Sequence, residues 1–371
     1  MKKEPVKKER VVVAMSGGVD SSVVAAMLKD QNYEVIGVTM QLYDYGATAN
    51  KKQKTCCASK DINDASIVAQ KINIPHYVLN YESRFKEQVI DKFVESYLQG
   101  YTPIPCVSCN QSVKFNDLYN FAKKLGAKFL ATGHYVNKII ASDGTAQLHK
   151  GAEEQKDQSY FLYATTQEQL NYCEFPLGMQ TKDQTRQLAV KYGLAVASKP
   201  DSQDICFVPE GDYFAVVKKH SSVEIKSGDI IEIESGKKIG IHEGIAKYTI
   251  GQRRGLGVSS AEPLFVVKLD PNTNTVYAGS VKYLYKKRFL IEDINFLCNS
   301  AAFAAEGKVV ELKLRSIQRE QVFGLIKQSG IEGQYIVELI NPTRAITPGQ
   351  ACVFYENSQV LGGGIIRKIL D

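Results

Sequence analysis

The sequence has no apolar run long enough to cross a membrane, and its composition is that of an ordinary globular protein, with 44% hydrophobic and 23% charged residues. Its first ten residues, MKKEPVKKER, lack the apolar stretch of a secretory signal. We therefore expect a cytoplasmic protein without a membrane partner. Thiols stay reduced in that compartment, so the eight cysteines should serve chemistry, metal binding or packing rather than stable cross-links.

The common glycine-rich nucleotide loops are also missing from the start of the chain. The apolar run Val11–Met15 is not followed by a Gly-Lys-Ser/Thr ending or by Gly-x-Gly-x-x-Gly spacing. SGGVDSS stands there instead, at residues 16–22, and helical apolar spacing follows it. Small residues that open a helix present backbone N–H groups and the positive helix end to an anion. The sequence thus predicts a phosphate-binding loop, in which Asp20 needs a cation such as Mg²⁺ between its carboxylate and the phosphate.

Strand and helix patterns alternate from Val11 to about His134, which indicates an α/β domain with a parallel sheet. Ligands bind beyond the carboxyl ends of such strands, so the loop at 16–22, Met40 and Thr132–His134 should share one site. Short strands and turns replace helical periodicity after Phe214, and the strand spacing after about residue 286 is that of a small β-barrel. We expect a flexible basic N-terminus at 1–10, a catalytic domain at 11–212, a central β-rich domain at 213–285 and a C-terminal β-barrel at 286–371.

The net charge of +6 says little about partners, because the first ten residues hold five basic and two acidic side chains and so carry half of it. The rest of the chain is only weakly basic. Charge therefore permits a nucleic-acid partner without arguing for one.

Cys106 and Cys109 form a Cys-x-x-Cys pair in TPIPCVSCN, residues 102–110. Pro103 and Pro105 predict an extended loop before the pair, and Asn110 is predicted to cap the next helix. Cys109 would then lie near a helix N-terminus, a position that lowers a thiol pKa. Taken alone, the pair is compatible with a redox centre, half of a zinc site or chance. No second Cys-x-x-Cys exists to complete a four-cysteine zinc site.

The other cysteines have apolar or polar neighbours without metal-ligand spacing. Cys56 and Cys57 are expected to begin a helix after the polar connection at 41–58 and to take no part in catalysis. Packing roles are predicted for Cys173, Cys298 and Cys352.

Seven motifs occur in an order and spacing that is far more specific than any one of them. Together they resemble the bacterial tRNA-specific 2-thiouridylase family nearly end to end: SGGVDSS at 16–22, ATGHY at 131–135, KDQSYFLY at 156–163, DSQDICF at 201–207, YTIGQRRGLG at 248–257, ITPGQACVFY at 346–355 and LGGGII at 361–366. The resemblance implies an N-terminal α/β domain of the PP-loop ATP pyrophosphatase type, followed by two small β-rich domains, the last a β-barrel. It also implies a sulfurtransferase that uses ATP, Mg²⁺ and a persulfide to convert the wobble uridine of tRNA to 2-thiouridine.

The resemblance implies the following site residues, position by position. ATP would contact Ala14, Met15, Ser16, Gly17, Gly18, Val19, Asp20, Ser21, Met40 and Gly133. Cys109 would be the nucleophile, and Cys206 would carry the persulfide. The target base would meet Ile104, Pro105 and Cys106. Further tRNA contacts would come from His134, Lys156, Asp157, Gln158, Arg315, Ser316 and Gln350.

Two departures from the family pattern concern these residues. The family commonly has Asn-Pro-Asp where Ile104-Pro105-Cys106 stand. An acid–base role of that Asp therefore cannot be carried over to Cys106. It often has Arg-Tyr where Arg315-Ser316 stand, which removes the aromatic part of that contact.

Uridine O2 is a poor leaving group, and its adenylation by ATP would turn it into part of AMP. Persulfide sulfur on Cys206 would then replace it, and a Cys109–Cys206 disulfide would remain for an external reductant. A cysteine desulfurase or sulfur-relay protein would reload Cys206. One alternative is an iron–sulfur cluster held by Cys106, Cys109 and Cys206. The others are a different ATP-pyrophosphatase adenylating enzyme and a tRNA-binding protein without catalysis.

Overall fold

The structure is a computed structural model that describes residues 8–43, 57–201, 204–208, 211–298 and 308–371. The first seven residues of the expected basic N-terminus, most of the polar connection at 41–58 and Cys56 lie outside these residues. The nine α-helical segments of the described residues are α1 Val19–Asp30, α2 Cys57–Lys71, α3 Glu82–Phe85, α4 Asp91–Leu98, α5 Pro105–Cys109, α6 Tyr119–Lys124, α7 Gln167–Tyr172, α8 Lys182–Lys191 and α9 Tyr213–His220.

The strands fall into three groups along the chain. Those of the first group and its hairpin are β1 Arg10–Ala14, β2 Glu34–Gln41, β3 His76–Asn80, β4 Leu130–Ala131, β5 Val136–Ile140, β6 Ala146–Lys150 and β7 Cys173–Glu174. The central group is β8 Gly228–Glu232, β9 Lys238–His242, β10 Phe265–Asp270 and β11 Thr275–Gly279. The last group is β12 Tyr285–Phe296, β13 Val309–Lys313, β14 Val322–Gln328, β15 Tyr335–Arg344, β16 Ala351–Glu356 and β17 Gln359–Ile369.

One compact unit comprises residues 1–88 and 108–203 and contains the predicted parallel sheet. Its strand order is β3-β2-β1-β4-β7, and every pairing in it is parallel. Val11, Val12 and Val13 in β1 are fully buried, as expected for a central strand that is covered on both faces. The order brings the carboxyl ends of β1, β2 and β4 side by side, which confirms the predicted α/β fold class.

The second compact unit comprises residues 89–107 and 204–371 and contains two β-rich folds. The central sheet has the order β10-β11-β8-β9, with β11 and β8 parallel. In the last fold, β12 pairs with both β15 and β17, so six strands close into a barrel. Phe289, Leu312, Val337 and Phe354 fill the barrel core and are fully buried. This closure confirms the predicted C-terminal β-barrel.

The cysteine pair lies on a helical run that begins at Pro105, directly after residues 101–104, which belong to no helix or strand. Pro105 begins α5, which its missing N–H and fixed φ suit. The chain then continues as a π-helical segment, Asn110–Leu118, into α6. The predicted loop before the pair is present up to Ile104, whereas the predictions that Pro105 belongs to it and that Asn110 caps the next helix are wrong. Asn110 is buried inside the run, and its Nδ2 donates to the carbonyl of Phe161 at 3.0 Å.

Three further cysteines are packed as the sequence predicts. Cys173 and Cys352 are fully buried, and Cys298 is half-buried against the barrel core. Burial raises the pKa of the Cys352 thiol well above its ordinary value, which keeps it protonated and unreactive. Within the described residues, every helix falls short of the length and apolarity that a membrane span requires.

Candidate functional site

The loop between β1 and α1 has the geometry of an anion cradle. Gly17 adopts the left-handed conformation with φ of 70°. Gly18 is the N-cap of α1 and makes no side-chain capping bond, so the first N–H groups of the helix face the loop without a side-chain partner there. Ser21 Oγ accepts from the backbone N–H of Ser16 at 3.1 Å, which closes the loop on itself. The side chains of Met15 and Val19 are buried in the sheet core, so those two positions offer only their backbone to a ligand.

Lys199 stabilises this loop through contacts with a loop carbonyl and two carboxylates. Its ammonium donates to the carbonyl of Gly17 at 2.9 Å and pairs with Asp61 at 2.7 Å and with Asp64. A side chain at Gly17 would place its Cβ 2.1 Å from the carbonyl oxygen of Asp61, so only glycine fits. The conformation of the loop is therefore fixed by a lysine about 180 residues away in sequence.

Lys182 neutralises the carboxylate of the loop. Its ammonium lies 2.8 and 2.9 Å from the two carboxylate oxygens of Asp20, and the lysine is 7% exposed. Tyr135 donates to the same carboxylate at 2.7 Å, and burial raises the pKa of this tyrosine, which keeps it a donor. Asp20 is thus satisfied by protein groups.

A second carboxylate, that of Asp201, pairs with three cationic side chains. It accepts from Lys182 at 2.7 Å, from Lys156 at 2.8 Å and from Arg186 at 3.2 Å. Burial acts to raise the pKa of Asp201, but the hydrogen bonds from Lys156 and Lys182 outweigh it and hold the pKa below its usual value. Lys182 therefore bridges Asp20 of the loop and Asp201 of the DSQDICF motif.

The other predicted ATP contacts lie at the same edge of the sheet. Ala14 ends β1, and Met40 is the penultimate residue of β2. Gly133 follows β4 and approaches α1 so closely that a Cβ there would lie 2.8 Å from the backbone nitrogen of Ser21. The structure therefore brings together the three elements that the strand pattern placed at one site.

His134 is neutral at physiological pH. Its Nδ1 is 2.9 Å from Thr132 Oγ1, and its ring lies 5.9 Å from the ring of Phe115. Burial and, after it, the charge of Lys114 lower the pKa of His134 to about 3.

The cysteines differ in exposure and in the unit that holds them. Cys109 is buried and belongs to the first unit, whereas Cys106 and Cys206 are exposed and belong to the second. Because the helical run begins four residues before Cys109 and Asn110 does not cap it, the predicted activation of this thiol by a helix N-terminus is withdrawn. Ile104 lies just before the run, and its carbonyl accepts from the N–H of Val107 at 3.1 Å.

In the KDQ motif, residues 156–158, the side chains of Asp157 and Gln158 accept hydrogen bonds from backbone N–H groups. Asp157 accepts from the backbone N–H groups of Gly151 and Ser159, each at 3.1 Å. Gln158 accepts from the N–H of Tyr135 at 3.0 Å. Lys156, with its ammonium on Asp201, is the cationic member of the motif.

The remaining predicted tRNA positions lie in the second unit. Arg315 pairs with Glu320 and donates to the carbonyl of Arg344 at 3.4 Å, while the adjacent Ser316 is half-buried. Gln350 Nε2 donates to the carbonyl of Thr102 at 2.9 Å, which ties the barrel to the segment before the cysteine pair.

The loop fits a nucleotide phosphate chain, because it combines the glycine backbone, a helix N-terminus and a neutralised carboxylate. Mg²⁺ takes one or two carboxylates together with phosphate and water ligands. Asp20 suits that role chemically, provided that Lys182 shifts from its oxygens. Among the described ranges, no three His, Cys, Asp or Glu side chains are grouped as metal ligands.

Lys182, Lys199 and Tyr135 were missed by the sequence reasoning. Lys182 opens α8 after a Thr181 capping box, a signal for a helix start and not for a charge contact. Tyr135 lies inside the ATGHY motif, which gave the only sequence signal for any of the three.

Comparison with known proteins covers nearly the whole chain. Residues 9–210 match the family described as tRNA methyl transferase HUP domain, residues 215–280 its PRC-barrel domain, and residues 286–366 an aminomethyltransferase beta-barrel domain. The tRNA-specific 2-thiouridylase MnmA of Rickettsia bellii is 54% identical over 363 residues, which is 98% of this chain and 97% of the relative. That of Rickettsia felis is 54% identical over 362 residues, 98% of each chain.

The family descriptions carry the words methyl transferase, whereas the relatives that match over their full length are named for thiolation. The fold, the order of the three domain matches and an identity above one half over nearly the entire length agree with each other. The chain belongs to the tRNA-specific 2-thiouridylase family.

Proposed function

We propose that this chain replaces O2 of the wobble uridine of tRNA by sulfur, giving 2-thiouridine, AMP and pyrophosphate. The observation that carries the proposal is the cradle at residues 16–22, with its Lys182–Asp20 pair, at the carboxyl ends of a parallel sheet in a chain of this family. ATP, when bound, supplies the AMP that makes uridine O2 a leaving group.

The loop residues hold the departing pyrophosphate in this proposal. Backbone N–H groups at the N-terminus of α1 would donate to the phosphate oxygens, and Lys199 keeps Gly17 in the required conformation. If the ammonium of Lys182 paired with the phosphates as well as with Asp20, one oxygen of Asp20 would become available to hold Mg²⁺. Ala14, Met40 and Gly133 line the nucleotide beside the loop.

Two thiols carry out sulfur transfer. In one route, the terminal sulfur of a Cys206 persulfide attacks C2 and expels AMP; the Cys109 thiolate then attacks the Cys206 sulfur and releases 2-thiouridine. In the other, Cys109 attacks the persulfide first and frees hydrosulfide, which attacks C2. Both routes end in a Cys109–Cys206 disulfide, because the transferred sulfur gains the two electrons that the thiols lose.

An external dithiol restores the two thiols, and a cysteine desulfurase or sulfur-relay protein reloads Cys206. Ile104, Pro105 and Cys106 are proposed to meet the target base, with the exposed Cys106 thiol as the weak acid where the family has Asp. His134, Lys156, Asp157, Gln158, Arg315, Ser316 and Gln350 are proposed to contact or to shape the tRNA side of the site. We propose that the reaction takes place in the cytoplasm, where a tRNA substrate is available.

The test uses Cys109→Ser and Cys206→Ser, with Cys298→Ser as the matched control. We expect both site variants to bind ATP as the parent does and to form no 2-thiouridine, while Cys298→Ser retains activity. The product is read by mass spectrometry of the wobble nucleoside, where oxygen-to-sulfur exchange and methyl addition give different mass shifts. Full thiolation by either site variant, or a methylated product, would overturn the proposal.

A further inference from the structure

The turn at residues 251–255 presents two adjacent arginines to solvent. Arg253 and Arg254 are both exposed, and neither has an ion pair within the described part of the chain. Glu262 lines the same shallow cleft as Arg253 and is the acidic neighbour of the turn. Two arginines that are adjacent in sequence are thus exposed on one turn, where an anionic partner can reach them.

The turn is rigid although it is exposed. Gln252 accepts from the N–H of Thr249 at 3.0 Å, donates to the carbonyl of Arg254 at 2.9 Å, and its own carbonyl accepts from Val266 at 2.9 Å. Gly251 and Gly255 have φ of 88° and 80°, the left-handed conformation that glycine accepts without strain. Because the backbone is fixed in advance, a ligand that binds the arginines does not have to order the loop.

The turn continues into a second basic surface on the barrel. A Cβ at Gly251 would lie 2.9 Å from the Cβ of Ala345, so the two backbones are in close contact. The neighbouring Arg344 lies over the ring of Phe265, 4.9 Å from its centroid, and its carbonyl accepts from Arg315. Contacts therefore connect the turn, through Arg344, to Arg315.

We propose that Arg253, Arg254, Arg315 and Arg344, here called the basic strip, bind the sugar-phosphate backbone of the tRNA substrate. The inference rests on the proposed function and adds three arginines to the one position, Arg315, that the resemblance placed at tRNA. Guanidinium groups bind phosphate oxygens bidentately, and such contacts fix the register of an RNA without reading its sequence.

A macromolecular polyanion fits the strip better than a free phosphate does. The four arginines come from two folds of one compact unit, and the guanidinium of Arg344 lies over an aromatic ring. No single small anion is enclosed by such a row, whereas successive phosphates of an RNA strand follow one. Glu320 beside Arg315 limits the strip at one end and Glu262 at the other.

The experiment compares three double variants of the full chain. In Arg253→Gln/Arg254→Gln both charges are lost; in Arg253→Lys/Arg254→Lys both are kept. In Lys226→Gln/Lys237→Gln two exposed charges are removed from the same central fold outside the strip. Binding of a tRNA transcript with a wobble uridine is measured without ATP over a series of salt concentrations, and melting curves and ATP binding report folding.

We expect the glutamine variant to bind tRNA about ten- to a hundredfold more weakly at 0.1 M salt, and its log–log salt slope to shrink by about 2, roughly one for each lost phosphate contact. The lysine variant should keep most of the slope, and the Lys226/Lys237 variant should match the parent. An unchanged salt slope in the glutamine variant, or an equal loss of tRNA affinity and slope in the Lys226/Lys237 variant, overturns the proposal that the basic strip binds tRNA.

The two proposals fail differently. If the parent binds tRNA with the expected slope but forms no 2-thiouridine, the proposed function fails and the strip stands. If thiolation proceeds and the glutamine variant binds tRNA as the parent does, the strip fails alone. Inorganic phosphate is the competitor that separates a free-anion site, which it would saturate at millimolar concentration, from a polyanion track.

Discussion

The ammonium of Lys182 lies 2.8 and 2.9 Å from the two carboxylate oxygens of Asp20, although 162 residues separate them in sequence. The same nitrogen is 2.7 Å from Asp201. A buried lysine therefore performs beside the phosphate loop the neutralisation that sequence reasoning assigned to a metal ion.

Lys182→Met should destabilise the fold, because it leaves Asp20 and Asp201 without the cation between them. We expect a loss of roughly 3 kcal/mol in the free energy of unfolding. Lys191→Met removes an exposed lysine from the same helix and should change it by no more than about 0.5 kcal/mol. Urea denaturation measures both. Adding Asp20→Asn to Lys182→Met should recover part of the loss, and a further loss would show that the pair is not the cause.

Gly17→Ala and Gly18→Ala should separate the stability of the loop from its binding. The first forces a left-handed alanine and a Cβ 2.1 Å from Asp61, so the free energy of unfolding should fall by at least about 2 kcal/mol. At Gly18 the nearest atom to a Cβ is Ser16 Oγ at 3.5 Å, so the loss should not exceed about 1 kcal/mol. Calorimetric titration should nevertheless find weaker ATP binding in Gly18→Ala, since the methyl group enters the cradle. Parent-like affinity there would count against the phosphate loop.

Much of this arrangement could be read from the order of residues, and some of it could not. The run Val11–Met15 followed by small residues predicts both β1 and the loop, because local chemistry alone decides a buried strand and a glycine turn. The contacts of Lys182 and Lys199 are decided by the packing of α8 and of the chain after it, and isolated lysines in a sequence carry no sign of burial. They became visible only when the sheet brought distant segments together.

In the helical run that bears Cys109, local sequence preferences gave a prediction that the structure does not follow. Pro103 lies in the loop that the sequence predicts, but a proline at the first helical position costs no hydrogen bond, and Pro105 occupies that position. Asn110 is a good capping residue, yet its amide bonds the carbonyl of Phe161, 51 residues away. A tertiary hydrogen bond thus engages the Asn110 side chain, although its local preference is to cap a helix.

His134 should make stability depend on pH in a defined window. Its pKa is about 3 in the fold, below the ordinary 6.5, so the unfolded chain binds a proton between these values that the folded chain does not. The free energy of unfolding therefore falls as the pH drops from 6.5 toward 3. His134→Asn should make this decline shallower, as measured by denaturation midpoints at stepped pH. Parallel curves for the variant and the parent would show that His134 contributes nothing to the decline.

Gln350→Ala should loosen the segment before the cysteine pair. It removes the bond to the carbonyl of Thr102, a contribution of about 1 kcal/mol, and leaves the bond from the N–H of Thr102 to the carbonyl of Pro348 in place. Amide hydrogen exchange in residues 102–107 should become faster, and exchange in β1 should not. Gln359→Ala, in the neighbouring strand, is the control and should leave both regions unchanged.

The contact between Gln350 and Thr102 also bears on how the protein is made. The ribosome adds Gln350 248 residues after Thr102. At ordinary rates of synthesis this interval lasts on the order of ten seconds or more. Until Gln350 is added, the nascent segment before the cysteine pair lacks this bond to the barrel. A product of premature termination before Gln350 would never acquire it.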